Sequence, residues 1–253
     1  MSVVLVEKQS PRICVITLNR PERRNALTIE LMTELTAAIE AAGADPTQRV
    51  LILRGAGKAF CTGLDLEAAA DDSKAHATAE MVARMLLALA QTRLVTIATV
   101  HGAAVAGGAG IMSACDFVIA AERTKIGYPE VRRGLVAGLV MTFLRRQLRE
   151  RDLRELLLAS ELIEADRARE IGLVNRVVPV GELESDAQKI AVSVLQGAPA
   201  AITNSKRLME ELWSSSVKED IECALRHHLE ARESEEAKEG IAAFLEKRPP
   251  NWV

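Results

Sequence analysis

The amino-acid sequence predicts an α/β fold, in which a core of alternating strands and helices is followed by a helical C-terminal region. In the first half, a pattern of two β-rich runs and one helical run recurs about three times, and such alternation favours parallel strands. Residues 94–115 include no Asp, Glu, Lys or Arg, as is typical of elements buried in a core. After Gly134 the apolar spacing is mostly helical. We therefore expect a core at residues 1–195 and a helical region at residues 196–253.

The N-terminal segments predict a β-hairpin followed by an amphipathic helix. Val3–Glu7 and Cys14–Leu18 are β-rich runs, and the turn-forming segment Gln9–Pro11 separates them. A helix is predicted from Thr28, and Gly43 is placed to end it. The apolar face of this helix is formed by Leu31, Leu35, Ala38, Ile39 and Ala42.

Later segments continue the alternation of strands and helices. Short buried strands are predicted at Val50–Leu53 and Phe117–Ala120, with helical spacing at Met81–Leu89 between them. Glu170–Pro179 predicts the end of a helix, a glycine break and a strand. Two consecutive prolines, the first of them Pro249, are expected to stop the last helix.

The uncharged stretch 94–115 is long enough to span a bilayer. It contains His101 and four glycines, however, and its first part, Leu94–Val100, is rich in β-branched residues. This pattern favours a buried strand, a glycine turn and a buried helix to about Ala114 inside a globular core.

The composition bounds the partners and the compartment. The chain has 253 residues and a formal net charge of -3, which argues against a generic nucleic-acid binder, since such proteins carry a basic excess. Its four cysteines are too far apart in sequence for a metal knuckle or a redox pair, so we expect free buried thiols in a reducing compartment. The apolar run at the N-terminus is too short, and charged residues follow it too soon, for a signal peptide. We expect a cytoplasmic protein with no metal site and with neither nucleic acid nor a membrane as a partner.

Two glycine-containing segments could present backbone N–H groups to a ligand. Ala59–Leu66 follows a predicted strand, and its Gly63 and Asp65 allow a sharp bend. His101–Gly110 joins a strand to a helix through small residues, and the first N–H groups of a helix have no partner within it. The glycine spacing is not that of a dinucleotide-binding fingerprint. Both segments also have a purely structural interpretation, as an ordinary loop and as tight strand–helix packing.

Charged residues supply two further candidates. Glu130 follows a proline and precedes Arg132 and Arg133, and its commonest alternative fate is a surface ion pair. Basic side chains also gather near both ends of the chain, where they suit phosphate recognition or are simply solvated. These basic residues are Arg20, Arg23, Arg24, Lys247 and Arg248.

Six segments, in this order along the chain, resemble the crotonase, or enoyl-CoA hydratase/isomerase, family. They are Leu18–Leu27, Gly57–Leu66, His101–Asp116, Tyr128–Leu135, Glu170–Pro179 and Phe244–Pro250. Each match is weak alone, but together they span nearly the whole chain. The resemblance implies a crotonase-like spiral of repeated strand-strand-helix units. It also implies C-terminal helices that pack at a homotrimer interface, with trimers that often pair into hexamers.

The resemblance also implies a site for an acyl-CoA thioester, with no cofactor apart from the coenzyme A of the substrate. The backbone N–H groups of Leu64 and Gly107 would form an oxyanion hole, and Glu130 would be the acid/base. Well-studied hydratases carry another glutamate at the position of Gly110. Lys247 would reach a phosphate from a neighbouring subunit. The expected substrate-contacting residues are Arg24, Ala26, Gly63, Asp65, Leu66, Gly108, Gly110 and Lys247.

Several functions stay open at this point. The leading interpretation is hydration of 2-enoyl-CoA, since Glu130 alone could activate water and then return its proton to the α-carbon. A Δ3,Δ2-enoyl-CoA isomerase also needs only one carboxylate. A non-catalytic acyl-CoA binder is compatible with Gly110, because a fold does not fix a function. RNA binding by the arginine-rich segment 145–151 is disfavoured, because acidic residues interleave with the arginines.

Overall fold

The computed structural model describes residues 2–65 and 75–251, and within them the central element is a six-stranded sheet. Its first two strands form the predicted antiparallel hairpin, and every later strand pairs in parallel, as predicted. Across the sheet the strands are β1 (Val4–Ser10), β2 (Ile13–Leu18), β3 (Val50–Gly55), β4 (Val95–Val100), β6 (Phe117–Ala121) and β9 (Arg176–Val178).

A smaller three-stranded sheet lies beside the start of the helix that begins at Gly107. It consists of β5 (Ala103–Val105), β7 (Lys125–Gly127) and β8 (Ile163–Glu164). We expected only a glycine turn where β5 lies, because three small residues carry no alternation pattern. β5 pairs in parallel with β7, and its last residue leads directly into the bend before Gly107.

The helices surround the large sheet and form most of the C-terminal region. They are α1 (Ile29–Ala44), α2 (Ala75–Gln91), α3 (Gly107–Ser113), α4 (Gly138–Gln147), α5 (Glu150–Arg154), α6 (Ala165–Glu170), α7 (Leu183–Gln196), α8 (Pro199–Glu211), α9 (Val217–Arg232) and α10 (Glu235–Glu246). α1 begins directly after Thr28, close to the predicted start, and the Thr28 hydroxyl caps it by accepting from the Leu31 N–H at 3.2 Å. Gly43 does not end the helix as predicted, because α1 continues to Ala44. α10 ends before the prolines, because Lys247 takes a left-handed conformation with φ 56°.

Apolar side chains cover both faces of the large sheet. Alternate residues of β2 point to opposite sides, so that Ile16 packs with the helices α1 to α4 and Val15 packs against α7. Burial on both faces explains why the central strands are rich in apolar and β-branched residues and have no polar alternate face. The predicted boundary between residues 195 and 196 falls at the last turn of α7.

The uncharged stretch 94–115 is almost entirely buried and forms β4, β5 and α3, as predicted for a globular core. Among the helices within 2–65 and 75–251, none has the length and apolarity to cross a bilayer. Cys61 and Cys115 are fully buried, and burial raises the pKa of each thiol to about 12. The expectation of buried thiols was wrong for Cys223, which is exposed on α9.

Asn25 joins the chain before α1 to the loop that follows β3. It is fully buried with φ 55°, and its amide nitrogen lies 2.9 Å from the Ala59 oxygen and 3.1 Å from the Phe60 oxygen. Its side-chain oxygen accepts from the Arg20 N–H at 2.8 Å. The Asn25 side chain therefore satisfies several backbone groups that have no other route to water.

Replacing Asn25 with alanine should lower the free energy of unfolding by at least about 2 kcal/mol, because it leaves buried backbone groups unpaired. Urea-induced unfolding followed by circular dichroism measures this change. The control is Gln91→Ala at the exposed C-terminal end of α2, which should change stability by less than about 0.5 kcal/mol. Equal midpoints for the two variants would contradict the role assigned to Asn25.

Candidate active site

A cleft of about 670 Å³ opens between the core and the C-terminal helices. Its walls come from the segment 23–27, the loop 62–65, the start of α3, the segment 130–140 and the end of α10. The predicted site residues that line it are Arg24, Ala26, Leu64, Asp65, Gly107, Glu130 and Lys247. Leu66 lies outside the described residues. The fold therefore brings together groups that are distant in the sequence.

The loop 61–65 is bonded to neighbouring chain segments on two sides. On one side, the Leu27 N–H donates to the Gly63 oxygen at 2.8 Å, and the Asp65 N–H donates to the Leu27 oxygen at 2.9 Å. On the other side, the Val105 N–H donates to the Cys61 oxygen at 3.0 Å. Because β5 continues into α3, these bonds fix the loop against the first residue of that helix.

Two backbone N–H groups are left free at this junction. Gly63 has φ +86° and Ala106 has φ 50°, and these positive angles turn the chain just before Leu64 and Gly107. Within residues 2–65 and 75–251, neither the Leu64 N–H nor the Gly107 N–H has a hydrogen-bond acceptor. A Cβ placed on Gly63 would lie only 3.3 Å from the Gly107 nitrogen, so the two bends are in contact. The left-handed angle of Ala106, which is not glycine, is a strained conformation of the kind concentrated at functional sites.

The position of Glu130 in the cleft is fixed by the buried residues that precede it in the sequence. Tyr128 is fully buried, and its hydroxyl is 2.8 Å from the Ser113 hydroxyl in the last turn of α3. Pro129 then precedes a 3-10 turn, Glu130–Arg133. The Tyr128 contact therefore fixes the turn that carries Glu130 relative to the helix that begins at Gly107.

Glu130 has the environment of a proton-transfer group. Its Oε2 atom is shielded from solvent and has no hydrogen-bond partner. Burial raises the pKa of Glu130 to about 7, although a backbone hydrogen bond and the positive charge of Arg133 oppose the rise. No ion pair within 4.0 Å joins Glu130 to a described basic residue, so the alternative of a surface glutamate paired with an arginine was wrong. A carboxyl group with a pKa near the working pH is suited to acid–base chemistry.

The position of the missing second glutamate is filled by an apolar side chain. A Cβ on Gly110 would lie 2.4 Å from the Cγ1 atom of Val140, which lines the cleft. Gly110 lies behind Val140 and is not among the residues that line the cleft, and neither are Gly63 and Gly108. A Cβ on Gly108 would lie 2.2 Å from the Cys61 oxygen. These three glycines therefore allow close packing of the cleft wall and do not line the cleft.

Basic residues occupy the part of the cleft near the N-terminal segment and the end of α10. The buried Asp65 carboxylate accepts from the guanidinium of Arg20 at 3.1 Å and from that of Arg23 at 3.3 Å. Arg24 and Lys247 are exposed residues in left-handed conformations that line the cleft. Lys247 lies at the cleft of its own chain, and its expected contact with a phosphate from a neighbouring subunit stays a prediction.

The cleft residues that were not predicted as site residues include Arg133, His228 and Phe244. Arg133 could have been predicted as a site residue, because it lies three positions after the candidate Glu130. Residues i and i+3 of a 3-10 turn lie on the same side of the turn. His228 lies on α9, and its Nδ1 is 3.2 Å from the Val136 oxygen. Phe244 begins the family-like segment Phe244–Pro250 at the end of α10, whereas no local pattern around His228 indicates the cleft.

α10 packs directly against the Glu130 turn. Gly134 has φ +65°, and a Cβ placed there would lie 2.3 Å from the Glu236 backbone. A Cβ on Gly240 would lie 2.4 Å from the carbonyl carbon of Arg133. Backbone therefore meets backbone at both glycines, and any larger side chain would separate the helix from the turn.

The match to known proteins agrees with this arrangement. The sequence model that represents the enoyl-CoA hydratase/isomerase family matches residues 8–253 of this chain. The chain belongs to this family. Among relatives, a Thermus thermophilus protein named "Putative enoyl-CoA hydratase" is 37% identical over 98% of this chain and 100% of its own length. The crotonyl-CoA hydratase of Syntrophomonas wolfei is 33% identical over 99% of this chain and 97% of its own length.

Solved structures of the enoyl-CoA hydratase/isomerase family have the same fold as this chain. An enoyl-CoA hydratase from Mycobacterium avium superposes with a TM-score of 0.87 and 31% identity, with 100% of both chains covered. The crotonase-like architecture predicted from the sequence is therefore confirmed.

Replacing Gly240 with alanine should loosen the Glu130 turn, because the new Cβ cannot coexist with the Arg133 backbone. We expect faster amide hydrogen exchange in 130–134 and in α10, measured by mass spectrometry, and a loss of stability of about 1–3 kcal/mol. Gly181→Ala is the matched control, since no atom lies within 4 Å of the Cβ added there. Unchanged exchange in the Gly240 variant would contradict the packing described.

Proposed function

We propose that the protein adds water across the double bond of a 2-enoyl-CoA. The observation that carries this proposal is the convergence of two free backbone N–H groups and the Glu130 carboxyl group on one cleft. The names of its relatives as hydratases support the same reaction class. The substrate is the acyl-CoA itself, and no cofactor is needed for the steps that follow.

In this proposal Glu130 handles the proton in both directions. Its carboxylate removes a proton from a water molecule as the water oxygen attacks C3 of the enoyl group. The electron pair of the double bond moves to C2 and onto the thioester oxygen as an enolate. Glu130, now protonated, returns the proton to C2, and the enolate collapses to the thioester. One carboxyl group is sufficient because the proton taken from water is the proton that C2 receives.

The N–H groups of Leu64 and Gly107 form the oxyanion hole of the proposed reaction. They lie at adjacent bends and have no acceptor among the described residues, so the thioester oxygen can take both bonds. Loss of one such donor typically costs about 10²–10³ in rate. Only main-chain atoms are used, so the identity of the Leu64 side chain affects the width of the cleft and leaves the donor in place.

The coenzyme A moiety is expected to lie along the basic part of the cleft. Arg24 and Lys247 supply positive charge for its phosphates. Ala26 and Asp65 line the same part of the cleft, and Asp65 holds two arginines in position. Leu66 belongs to the same expected path.

A second candidate is Δ3,Δ2-enoyl-CoA isomerisation. It is favoured by the apolar wall at Val140, which leaves Glu130 without a partner acid at the position of Gly110. In that reaction Glu130 removes a proton from C2 and returns it at C4, and the same two N–H groups hold the enolate.

Crotonyl-CoA should lose its conjugated absorbance in the presence of the protein, whereas isomerisation of a 3-enoyl-CoA would raise it. Glu130→Gln should lower kcat for the productive substrate by about 10²–10⁴-fold, because glutamine cannot exchange the proton. The control is Glu161→Gln, an exposed glutamate outside the cleft, which should retain full activity. Undiminished turnover in the Glu130 variant would end the proposal.

The pH dependence provides a second check on the same group. The working form of Glu130 is the carboxylate, and its pKa is raised to about 7. The value of kcat/KM should therefore rise with pH and level off above about 7. A profile that is flat between pH 5 and 8 would contradict this role.

We also propose that the chain assembles as a homotrimer, with hexamers formed from paired trimers. α8 contributes no buried residue to its own chain. Apolar side chains at its C-terminal end are exposed, and they are Leu208, Met209, Leu212 and Trp213. An apolar patch of this kind on a helix is typical of a protein–protein interface.

Replacing both Met209 and Leu212 with glutamate should release subunits from the assembly, because two charges would have to be buried in the interface. Size-exclusion chromatography with light scattering measures the mass. Val6→Glu, an exposed position on β1, should leave the mass unchanged. A wild-type mass equal to that of one chain, 27.4 kDa, would exclude the trimer.

A further inference from the structure

Arg133 faces the cleft from the same turn as Glu130. A 3-10 helix has about 3.0 residues per turn, so side chains three positions apart lie on one side of it. Both residues accordingly line the cleft. The apolar segment Leu135–Val140, which also lines it, follows immediately in the chain. Arg133 is therefore a cation placed between the proposed acid/base and an apolar wall.

The guanidinium of Arg133 is poorly satisfied by the protein. Its Nε atom is buried without a hydrogen-bond partner, and its Nη1 reaches the Pro129 oxygen only at 3.4 Å. No carboxylate of a described residue lies within 4.0 Å of it. Its neighbour Arg132 differs, since its Nε donates to the Ser160 hydroxyl at 2.8 Å and its Nη2 to the Ala159 oxygen at 3.2 Å. A partly buried guanidinium with so few hydrogen bonds to the described residues is costly, which favours a ligand carboxylate that completes this site.

The orientation of Arg133 is fixed before any ligand binds. Its guanidinium stacks on the Phe244 ring, 4.4 Å from the ring centroid. Stacking occupies the flat face of the guanidinium and leaves its N–H edge available for hydrogen bonds. The Gly240 contact holds the backbone of Arg133 from the other side. A planar donor edge held in this way matches the two oxygens of a carboxylate.

We propose that Arg133 binds a carboxylate carried by the acyl group, so that the preferred substrates are enoyl-CoA thioesters with a second, distal carboxylate. This inference rests on the proposed function, because it assumes that Glu130 works at C2 and C3. Arg133 shares the turn of Glu130, so a carboxylate just beyond the reacting double bond lies within its reach. Its positive charge also offsets the repulsion between that carboxylate and Glu130.

The test compares glutaconyl-CoA with crotonyl-CoA, which share coenzyme A and the reacting double bond but differ in the distal carboxylate. For the wild-type protein, kcat/KM should be at least about tenfold higher for glutaconyl-CoA. Arg133→Met should lower the ratio of the two kcat/KM values by about 10²-fold, as is typical when one partner of a buried charge pair is removed. Arg132→Met removes the same charge from the same turn, away from the cleft, and should leave the ratio unchanged.

Two results for the Arg133→Met variant would overturn the inference. An equal loss on both substrates in the Arg133 variant would mean that Arg133 contacts the shared coenzyme A or supports Glu130. An unchanged ratio would mean that it contacts neither acyl group. If neither substrate is turned over, the proposed function fails, and calorimetry with the saturated glutaryl-CoA and butyryl-CoA still decides the inference. Glutaryl-CoA should then bind more tightly to the wild type, and this preference should be lost in Arg133→Met but not in Arg132→Met.

Discussion

The contact between two backbone bends is the constraint on which the proposed chemistry depends. The loop 61–65 is bonded to Leu27 on one side and to β5 on the other, so it cannot move without breaking both sets of bonds. This arrangement keeps the Leu64 and Gly107 N–H groups together, and neither has an acceptor in the part of the chain that the structure describes. Their orientation is prepared before substrate arrives, and preorganised donors of this kind stabilise developing negative charge more than mobile solvent does.

Glu130, the proposed acid/base, is held by contacts from both halves of the chain. From the core, the Tyr128 hydroxyl anchors the chain before Glu130 to α3. From the C-terminal region, α10 meets the same turn through Gly134 and Gly240. The C-terminal helices therefore do more than enclose the cleft, because they define the position and the burial of Glu130. That burial raises its pKa into the range in which it can both accept and release a proton.

Much of this architecture could be predicted from the sequence, because strong local patterns specify it. The hairpin, the parallel strands and the buried uncharged stretch all follow from the order of apolar and charged residues. The segments of Gly107 and Glu130 were candidates from their residues alone, but the roles proposed for them followed only from the resemblance to a known family. β5 was not predicted, because its three residues are too few to show the alternation of a strand. Its pairing with β7 also depends on residues that are distant in the sequence.

The rest of the site depends on packing that no local pattern records. The sequence gives no sign that Val140 lies over Gly110, or that Phe244 stacks on Arg133, since each pair is joined only by the fold. The placement of Arg133 could be predicted in part from the sequence. Its spacing from Glu130 predicts a shared face of the turn, but its unpaired Nε becomes evident only from the hydrogen bonds around it.

The contact between Gly110 and Val140 also restricts how this protein can evolve. A second carboxylate at position 110 would collide with Val140, whose Cγ1 lies 2.4 Å from where even the first added carbon would sit. The substitution becomes tolerable only after position 140 has become smaller, and that change alone opens a void in the wall. The two positions are therefore expected to be epistatic, and the acquisition of a glutamate at position 110 would have to pass through a less stable intermediate.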